Sequence, residues 1–172
     1  LQDQFRARDT TKIYAALVFG EWPDSLKVID RALHKGLDAA GERHVRVVAA
    51  DHADAQRAIT LVKVAQRLPA LRATLLDVTL KTGRTHQIRV HLSGIGHPIV
   101  GDALYGGVRR RVQADIRDVG KLTRPFLHAS KLAFTHPTDG RRMTFESELP
   151  PDLKSVLDAL IARNRPEDLK QD

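Results

Sequence analysis

The chain has 172 residues, with 28 Lys and Arg against 21 Asp and Glu, and a net charge of +7. Hydrophobic residues make up 42% and charged residues 28%, which is typical of a globular domain and excludes a disordered or low-complexity chain. No apolar run reaches the roughly 20 residues that cross a bilayer, so a membrane span is excluded. The chain has no Cys, which excludes disulfides, a thiolate nucleophile and a Cys-based zinc site, and which suits a cytoplasmic protein.

Basic residues are concentrated in one segment. Residues 81–142 hold 12 Lys and Arg against 4 Asp and Glu, a net charge of +8, while the rest of the chain is close to neutral. A segment that carries the whole basic excess favours a polyanion-binding face, for which RNA and DNA are the usual partners. A solvated surface in a protein from an arginine-rich proteome explains the same pattern, so charge alone leaves both interpretations open.

The first half of the chain predicts β-strands. Residues 12–20 are rich in β-branched and aromatic side chains and predict a buried strand, whereas 44–50 alternate as a half-buried strand does. Residues 57–67 and 71–81 predict two more strands, and Pro69 between them indicates a hairpin.

The second half predicts helices and one more hairpin. Thr85 is a predicted N-cap for a helix that ends near Ser93, and residues 109–118 form a second candidate helix. Residues 131–136 and 142–146 flank an Asp-Gly turn and predict a hairpin.

The chain ends in an amphipathic pattern. An apolar stripe at helical spacing predicts a last helix over 151–164, followed by a frayed tail over 165–172. No internal repeat or linker divides the chain, so we predict a single α+β unit with a mostly antiparallel sheet.

A polar arc marks the helix predicted from Thr85. His86, Arg89 and Ser93 fall within roughly 60° of one another, and Ile88, Leu92 and Ile95 fall on a separate arc. Free backbone N–H groups at a helix start favour an anion, and an Arg at this position can hold a carboxylate or a phosphate in a two-pronged fork.

Metal and hydrolase sites find little support. His86, His91 and His97 suggest zinc, but His86 and His91 are five residues apart and no H-E-x-x-H pattern is present. A hydrolase built on Asp102 lacks any nucleophile signature. We therefore predict no metal site.

Longer motifs point to one family. GRTHQIRVH, GHPIVGD and LYG follow one another within residues 81–106, and this succession resembles the signature of the large-subunit ribosomal RNA pseudouridine synthases. The strand that contains Lys12-Ile13-Tyr14 resembles the family's K-x-Y strand, and Leu127-His128-Ala129, followed by residues 132–137, resembles its L-H-A…F-x-H-P stretch. Gly20-Glu21-Trp22 favours the C subfamily. The resemblance covers residues 1–163.

The resemblance implies a fold and an activity. The fold is the family's α+β catalytic domain, a mostly antiparallel mixed sheet flanked by helices, with residues 1–164 as its C-terminal part. The activity is conversion of uridine to pseudouridine in large-subunit ribosomal RNA, without cofactor or metal, by a cytoplasmic protein that we expect to be a monomer. The glycosidic bond breaks, the base rotates, and the base rejoins the ribose through carbon.

The resemblance also implies site residues. Tyr14 of K-x-Y packs against the flipped uracil and takes part in proton removal, which suits base chemistry on an extruded nucleotide. Arg89 of R-x-H-Q-I-R pairs with an essential Asp. His86 and Gln87 contact RNA or brace the turn, while Asp102 and Tyr105 fix the loop after the helix. The candidate RNA contacts are Arg84, Thr85, His86, Gln87, Arg109, Arg110 and Arg111.

One motif of the family is missing. Its essential Asp lies in H-R-L-D-x-x-T-S-G, upstream of the K-x-Y strand, and no such sequence is present in this chain, which starts at Leu1. We expect a fragment that begins after this motif and is catalytically inert alone. The less favoured alternative is a protein whose catalytic residue is lost or replaced.

A second function class is an RNA-binding module without catalytic activity. The gene sequence upstream of Leu1 discriminates between the two classes, because an H-R-L-D motif there supports the enzyme and its absence supports the module. A DNA-binding regulator is disfavoured, since no helix-turn-helix spacing is present.

Overall fold

The computed structural model describes residues 10–37, 40–41, 43–84, 86–106 and 122–164. The elements in chain order are β1 (Thr11–Phe19), β2 (Val28–Asp30), β3 (Leu33–Leu37), β4 (Arg43–Val47), β5 (Ile59–Leu68), a 3₁₀ turn (Pro69–Leu71), β6 (Ala73–Leu80), α1 (Gln87–Gly94), β7 (Leu127–Thr135), β8 (Arg142–Glu146) and α2 (Pro151–Arg163).

The described strands form two antiparallel sheets. The larger has the order β2-β5-β6-β1-β7-β8, and β3 pairs with β4 in the smaller. Every pairing between described strands is antiparallel, so the predicted α+β class with an antiparallel sheet is confirmed. β1 lies near the middle of the larger sheet, which explains why its predicted apolar run is buried from Ala16 to Phe19.

The register of the larger sheet decides which residues share a face. Tyr14 of β1 pairs with Val78 of β6, and Val78 pairs with Val62 of β5. Directly paired residues point to the same side, so Tyr14 lies on the face that carries Val62 and Thr60. α1 packs on this face, because its His91 side chain is hydrogen bonded to the Thr60 hydroxyl.

A small second core attaches the β3–β4 pair to α1. It consists of buried apolar residues from both sides of the contact, namely Leu33, Val45, Ala58, Val90 and Tyr105. The main core combines buried residues of β1, β5 and β6 with Ile88 and Leu92 of α1, and it includes α2 through Leu153, Val156, Leu157 and Leu160. The smaller sheet is therefore held against the helix that carries Arg89.

Two motifs far apart in sequence meet beside β1. The N–H of Phe19 donates to the Pro98 carbonyl at 3.1 Å, and His97 Nδ1 donates to the Phe19 carbonyl at 2.9 Å. The Trp22 and His97 rings lie 5.1 Å apart, and Trp22 is buried. Gly20 has a φ of +94°, and a Cβ at that position would lie 2.7 Å from His97 Nδ1. Trp22 therefore packs in the interior beside His97.

Several predicted boundaries need correction. The helix predicted from Thr85 begins at Gln87, because His86 has a left-handed backbone with a φ of +52°. β7 starts at Leu127 rather than at residue 131, because Leu127 already pairs with Ala16 of β1. β2 and β3 were not predicted, since β2 has only three residues and β3 contains Gly36. The predicted helix over 109–118 and the tail over 165–172 lie outside the described residues.

The remaining elements match their predictions. The hairpin around Pro69, the hairpin across Asp139-Gly140 and the helix from Pro151 are all present. No helix in the described part of the chain is long and apolar enough to span a membrane.

Substitution of Gly101 by Ala measures how tightly the segment after α1 is packed. It has a φ of +84°, and a Cβ there would lie 2.5 Å from the Arg124 carbonyl oxygen. Gly96 has a φ of +87° with nothing within 4 Å of its Cβ position, which makes it a matched control. We expect Gly96→Ala to cost about 1–2 kcal/mol for the left-handed backbone, and Gly101→Ala to cost a further 1–3 kcal/mol, roughly, for the clash. Urea unfolding measures the free energy of unfolding of both variants. An equal loss in Gly96→Ala and Gly101→Ala would contradict the predicted clash with the Arg124 carbonyl.

Candidate functional site

The turn before α1 is held by the buried amide of Gln87. Its Oε1 accepts from the Thr82 hydroxyl at 2.6 Å and from the Arg84 N–H at 3.1 Å. Its Nε2 donates to the Ile59 carbonyl at 2.9 Å and to the Thr60 hydroxyl oxygen at 3.0 Å. Both ends of the amide are therefore used inside the protein, and they join the turn to the start of β5.

His91 continues this network across the interior. Its Nε2 lies 2.8 Å from the Arg31 carbonyl and must donate, so its Nδ1 accepts from the Thr60 hydroxyl at 2.7 Å. This pattern requires the neutral ring, and burial lowers the pKa of His91 accordingly. His91 is thus a fully satisfied core histidine.

Arg89 projects from α1 and forms a two-pronged ion pair with Asp102. Its Nε and Nη2 donate to Asp102 Oδ2 and Oδ1, both at 2.8 Å. The Asp102 side chain is 0% exposed, whereas the Arg89 side chain is 20% exposed. The hydrogen bonds to Asp102 raise the pKa of Arg89. The arginine is therefore fixed in both charge and direction, and no described residue bonds its Nη1.

Tyr105 connects Arg89 to the β3–β4 pair. The Arg89 guanidinium carbon lies 5.0 Å from the centre of the Tyr105 ring, a cation–π distance. The phenol oxygen accepts the Val45 N–H at 3.2 Å and lies 2.8 Å from His86 Nδ1. The Ser93 hydroxyl donates to the Tyr105 carbonyl at 2.6 Å. The polar arc of His86, Arg89 and Ser93 thus surrounds a tyrosine of this chain.

His86 lies in a positively charged surrounding. Burial lowers its pKa, and the nearby charges of Arg89, His44 and Lys35 lower it further, against a smaller opposing effect of Asp102. A neutral His86 can accept the phenol proton while the phenol oxygen accepts the Val45 N–H. The ring is half-buried, so it adjoins the surface beside Arg89.

Tyr14 lines a cleft of about 240 Å³ between β1, β7 and β8. Tyr14 pairs with Ala129 while its neighbour Ile13 pairs with Lys131, so Ser130 is an extra residue that forms a β-bulge. The Ser130 hydroxyl donates to the Ile13 carbonyl at 3.1 Å. Most of the surface that lines the cleft is apolar, as base stacking requires, although Lys12, Lys131 and Glu146 also line it. The lining residues are Lys12, Tyr14, Ala129, Ser130, Lys131, Leu132, Phe145, Glu146 and Ser147.

Tyr14 and Arg89 therefore occupy separate positions on one side of the larger sheet. Tyr14 lies in the sheet itself, and α1 carries Arg89 above the same face. Arg89 is not among the residues that line the Tyr14 cleft.

The predicted RNA contacts differ in their exposure. Arg84 is exposed, and its Nε donates to the Arg57 carbonyl at 3.1 Å. Gln87 is 2% exposed, so the bracing alternative describes it and a direct RNA contact does not. His86 braces Tyr105 while remaining half-buried. Thr85, Arg109, Arg110 and Arg111 lie outside the described residues.

The sequence pattern predicts that Asp102 and Tyr105 fix the loop after the helix, but it gives no connection between them and Arg89. The Tyr105 N–H donates to Asp102 Oδ1 at 3.3 Å. An Asp side chain commonly closes a turn in this way by accepting a backbone N–H from a residue that follows it closely in the chain. The spacing of three residues between Asp102 and Tyr105 therefore indicates the turn in the sequence. No sequence signal pointed to His44 or Lys35, because strand pairing brings them to the site.

The described residues contain no group of three or more His, Asp or Glu placed to share a metal ion.

The chain resembles known proteins over nearly its whole length. Residues 1–94 match the sequence model of a family described as RNA pseudouridylate synthase. A Salmonella typhi protein named ribosomal large subunit pseudouridine synthase C is 39% identical over 164 residues, which are 95% of this chain and 49% of that protein. The chain thus spans about half the length of this curated relative.

Two solved human structures share the fold. Human RNA pseudouridylate synthase domain containing 4 is 26% identical with a TM-score of 0.71, over 93% of this chain and 66% of that one. Human RNA pseudouridylate synthase domain containing 1 is 28% identical with a TM-score of 0.68, over 96% of this chain and 69% of that one.

The burial of the Arg89–Asp102 pair predicts a large effect of Asp102→Asn. Removal of the carboxylate leaves a half-buried guanidinium without a counter-charge, which we expect to cost about 3 kcal/mol in the free energy of unfolding. Arg124 and Asp152 form the same fork at 2.8 and 2.9 Å on the surface, so Asp152→Asn is a matched control with little expected effect. Urea unfolding of both variants makes the comparison. A similar loss of unfolding free energy in Asp102→Asn and Asp152→Asn would mean that burial does not determine how much the Arg89–Asp102 pair stabilises the fold.

Proposed function

The chain belongs to the RNA pseudouridylate synthase family, and on that premise we propose that it carries part of the active site for isomerisation of uridine to pseudouridine in large-subunit ribosomal RNA. The observation that carries the proposal is the Arg89 fork, which a fully buried Asp102 holds in one direction. The relative named synthase C also agrees with the subfamily that Gly20-Glu21-Trp22 favours.

Arg89 is proposed to hold the essential carboxylate of the family's H-R-L-D motif. Its Nε and Nη2 are taken by Asp102, while Nη1 has no partner among the described residues and the side chain is partly exposed. A second carboxylate at Nη1 would remain ionised beside the guanidinium and would be ready to act as a nucleophile or base.

Tyr14 is proposed to pack against the extruded uracil. The reaction breaks the bond between ribose C1′ and uracil N1, and it forms a bond between C1′ and uracil C5. The proton on C5 then leaves and a proton returns to N1, so substrate and product contain the same atoms and no oxidant or reductant is needed. A phenol in a cleft with a mostly apolar surface suits the stacking of the base, and its hydroxyl suits the removal of the C5 proton.

RNA is proposed to approach over the basic segment. Arg84 and His86 lie beside Arg89 at the start of α1, and Thr85, Arg109, Arg110 and Arg111 remain candidate phosphate contacts. An rRNA substrate also favours the cytoplasm. The alternative function is an RNA-binding module without catalytic activity.

Tritium release tests the proposed activity. Large-subunit ribosomal RNA labelled with tritium at uridine C5 is incubated with the protein expressed from its gene's own start codon. We expect release of tritium to water, because C5 loses its hydrogen when the new bond forms. We expect no release by these 172 residues alone, since they hold no H-R-L-D motif. RNA binding without tritium release by the gene's product would favour the binding module, and release by the 172 residues alone would contradict the need for that motif.

Arg89→Lys tests the fork in the same protein. Lysine keeps the positive charge but cannot bind two carboxylates in fixed directions, so we expect turnover to fall roughly 100-fold with RNA affinity almost unchanged. Arg124→Lys alters an equivalent fork on the surface and is expected to retain turnover. The assays are tritium release and RNA filter binding. Equal losses of affinity and turnover in Arg89→Lys would indicate an ordinary phosphate contact.

A further inference from the structure

Four exposed basic residues from three parts of the sequence lie at one end of the larger sheet. Arg31 follows β2, Arg57 precedes β5, and Lys81 and Arg84 follow β6. Because neighbouring strands are antiparallel, the end of β2, the start of β5 and the end of β6 lie side by side. We name this group, Arg31, Arg57, Lys81 and Arg84, the basic edge.

Hydrogen bonds to the backbone hold the basic edge together. The Arg31 N–H donates to the Ala58 carbonyl at 3.2 Å, and the Lys81 N–H donates to the Ile59 carbonyl at 3.2 Å. Arg84 Nε donates to the Arg57 carbonyl at 3.1 Å. These contacts hold the main chain of the four residues side by side at this end of the sheet.

The basic edge carries excess positive charge. Within the group, the one ion pair among the described residues joins Arg57 to Asp30 at 3.4 Å, and both of its side chains are exposed. Among the residues that the structure describes, Arg31, Lys81 and Arg84 therefore have no carboxylate partner. Like charges held together repel one another, and a polyanion relieves that repulsion while releasing its own counterions.

We propose that the basic edge binds the phosphate backbone of the RNA that reaches the Arg89 site. This inference rests on the proposed function and adds Arg31, Arg57 and Lys81 as substrate contacts. Two of these three lie outside the basic segment 81–142.

The position of the basic edge supports a continuous RNA path. Arg84 is three residues from the helix that carries Arg89, and Tyr14 lies near the same end of the sheet, since its neighbour Ile13 pairs with Thr79 of β6. Three strand spacings separate β2 from β1, a distance of about 14 Å. One RNA strand can therefore cross the basic edge while one of its bases enters the Tyr14 cleft.

The test compares two double variants of the protein expressed from its gene's own start codon. Arg31→Gln with Lys81→Gln removes two charges from the basic edge, while Lys63→Gln with Lys154→Gln removes two exposed charges elsewhere. Fluorescence anisotropy of a labelled single-stranded RNA gives the affinity over a series of salt concentrations. Thermal unfolding midpoints equal to that of the parent protein check that both variants fold.

We expect the salt dependence of RNA affinity to become weaker only in the basic-edge variant. Each lost phosphate contact lowers the slope of log affinity against log salt by about 0.7 for a single strand, so two contacts lower it by about 1.4. At 0.1 M salt the same relation gives a loss of affinity of roughly 25-fold. The control variant is expected to stay within about twofold of the parent protein, since exposed charges far from the RNA are screened.

The outcomes separate this inference from the proposed function. Equal slopes for the two variants, in a protein that releases tritium, would overturn the basic edge and leave the activity intact. A protein that neither binds RNA nor releases tritium would overturn both. A lowered slope in the basic-edge variant alone supports the inference whether or not turnover is measurable.

Discussion

The ion pair between Arg89 and the fully buried Asp102 is the constraint on which the site depends. A buried carboxylate is costly unless it is paired and hydrogen bonded, and here it receives two donors from Arg89 and a third from the Tyr105 N–H. The guanidinium can therefore neither turn away nor lose its proton. Arg124 and Asp152 form the same fork on the surface, where water competes for every donor.

The helix that carries Arg89 is itself fixed by neutral hydrogen bonds. The network through Gln87, Thr60 and His91 leaves no polar atom of these side chains unpaired, and it ends on the Arg31 carbonyl. Such a network fixes the rotation of α1 on the sheet more narrowly than apolar contacts alone, because each bond has a required direction. Arg31 also belongs to the basic edge, so the surface proposed to bind RNA and the helix of the site share one anchoring point.

Tyr105 joins the two sheets at the site. Its ring packs in the small core with Val45 and Val90, and its hydroxyl accepts an N–H from the edge of β4. The β3–β4 pair therefore brings Lys35 and His44 close enough to lower the pKa of His86. These two charges add to the larger effects of burial and of Arg89, which also lower the pKa of His86.

Sequence alone determined the α+β class, most strand and helix positions, the family, and Tyr14 and Arg89 as candidates, because periodicity and motifs are local in the chain. The tertiary structure decided which residue pairs with Arg89, that Gln87 is buried, and that α1 begins after a left-handed His86. It also brought together the basic edge from segments that are some 25 residues apart. These features arise from strand register and side-chain hydrogen bonds between distant segments, and no local pattern encodes them.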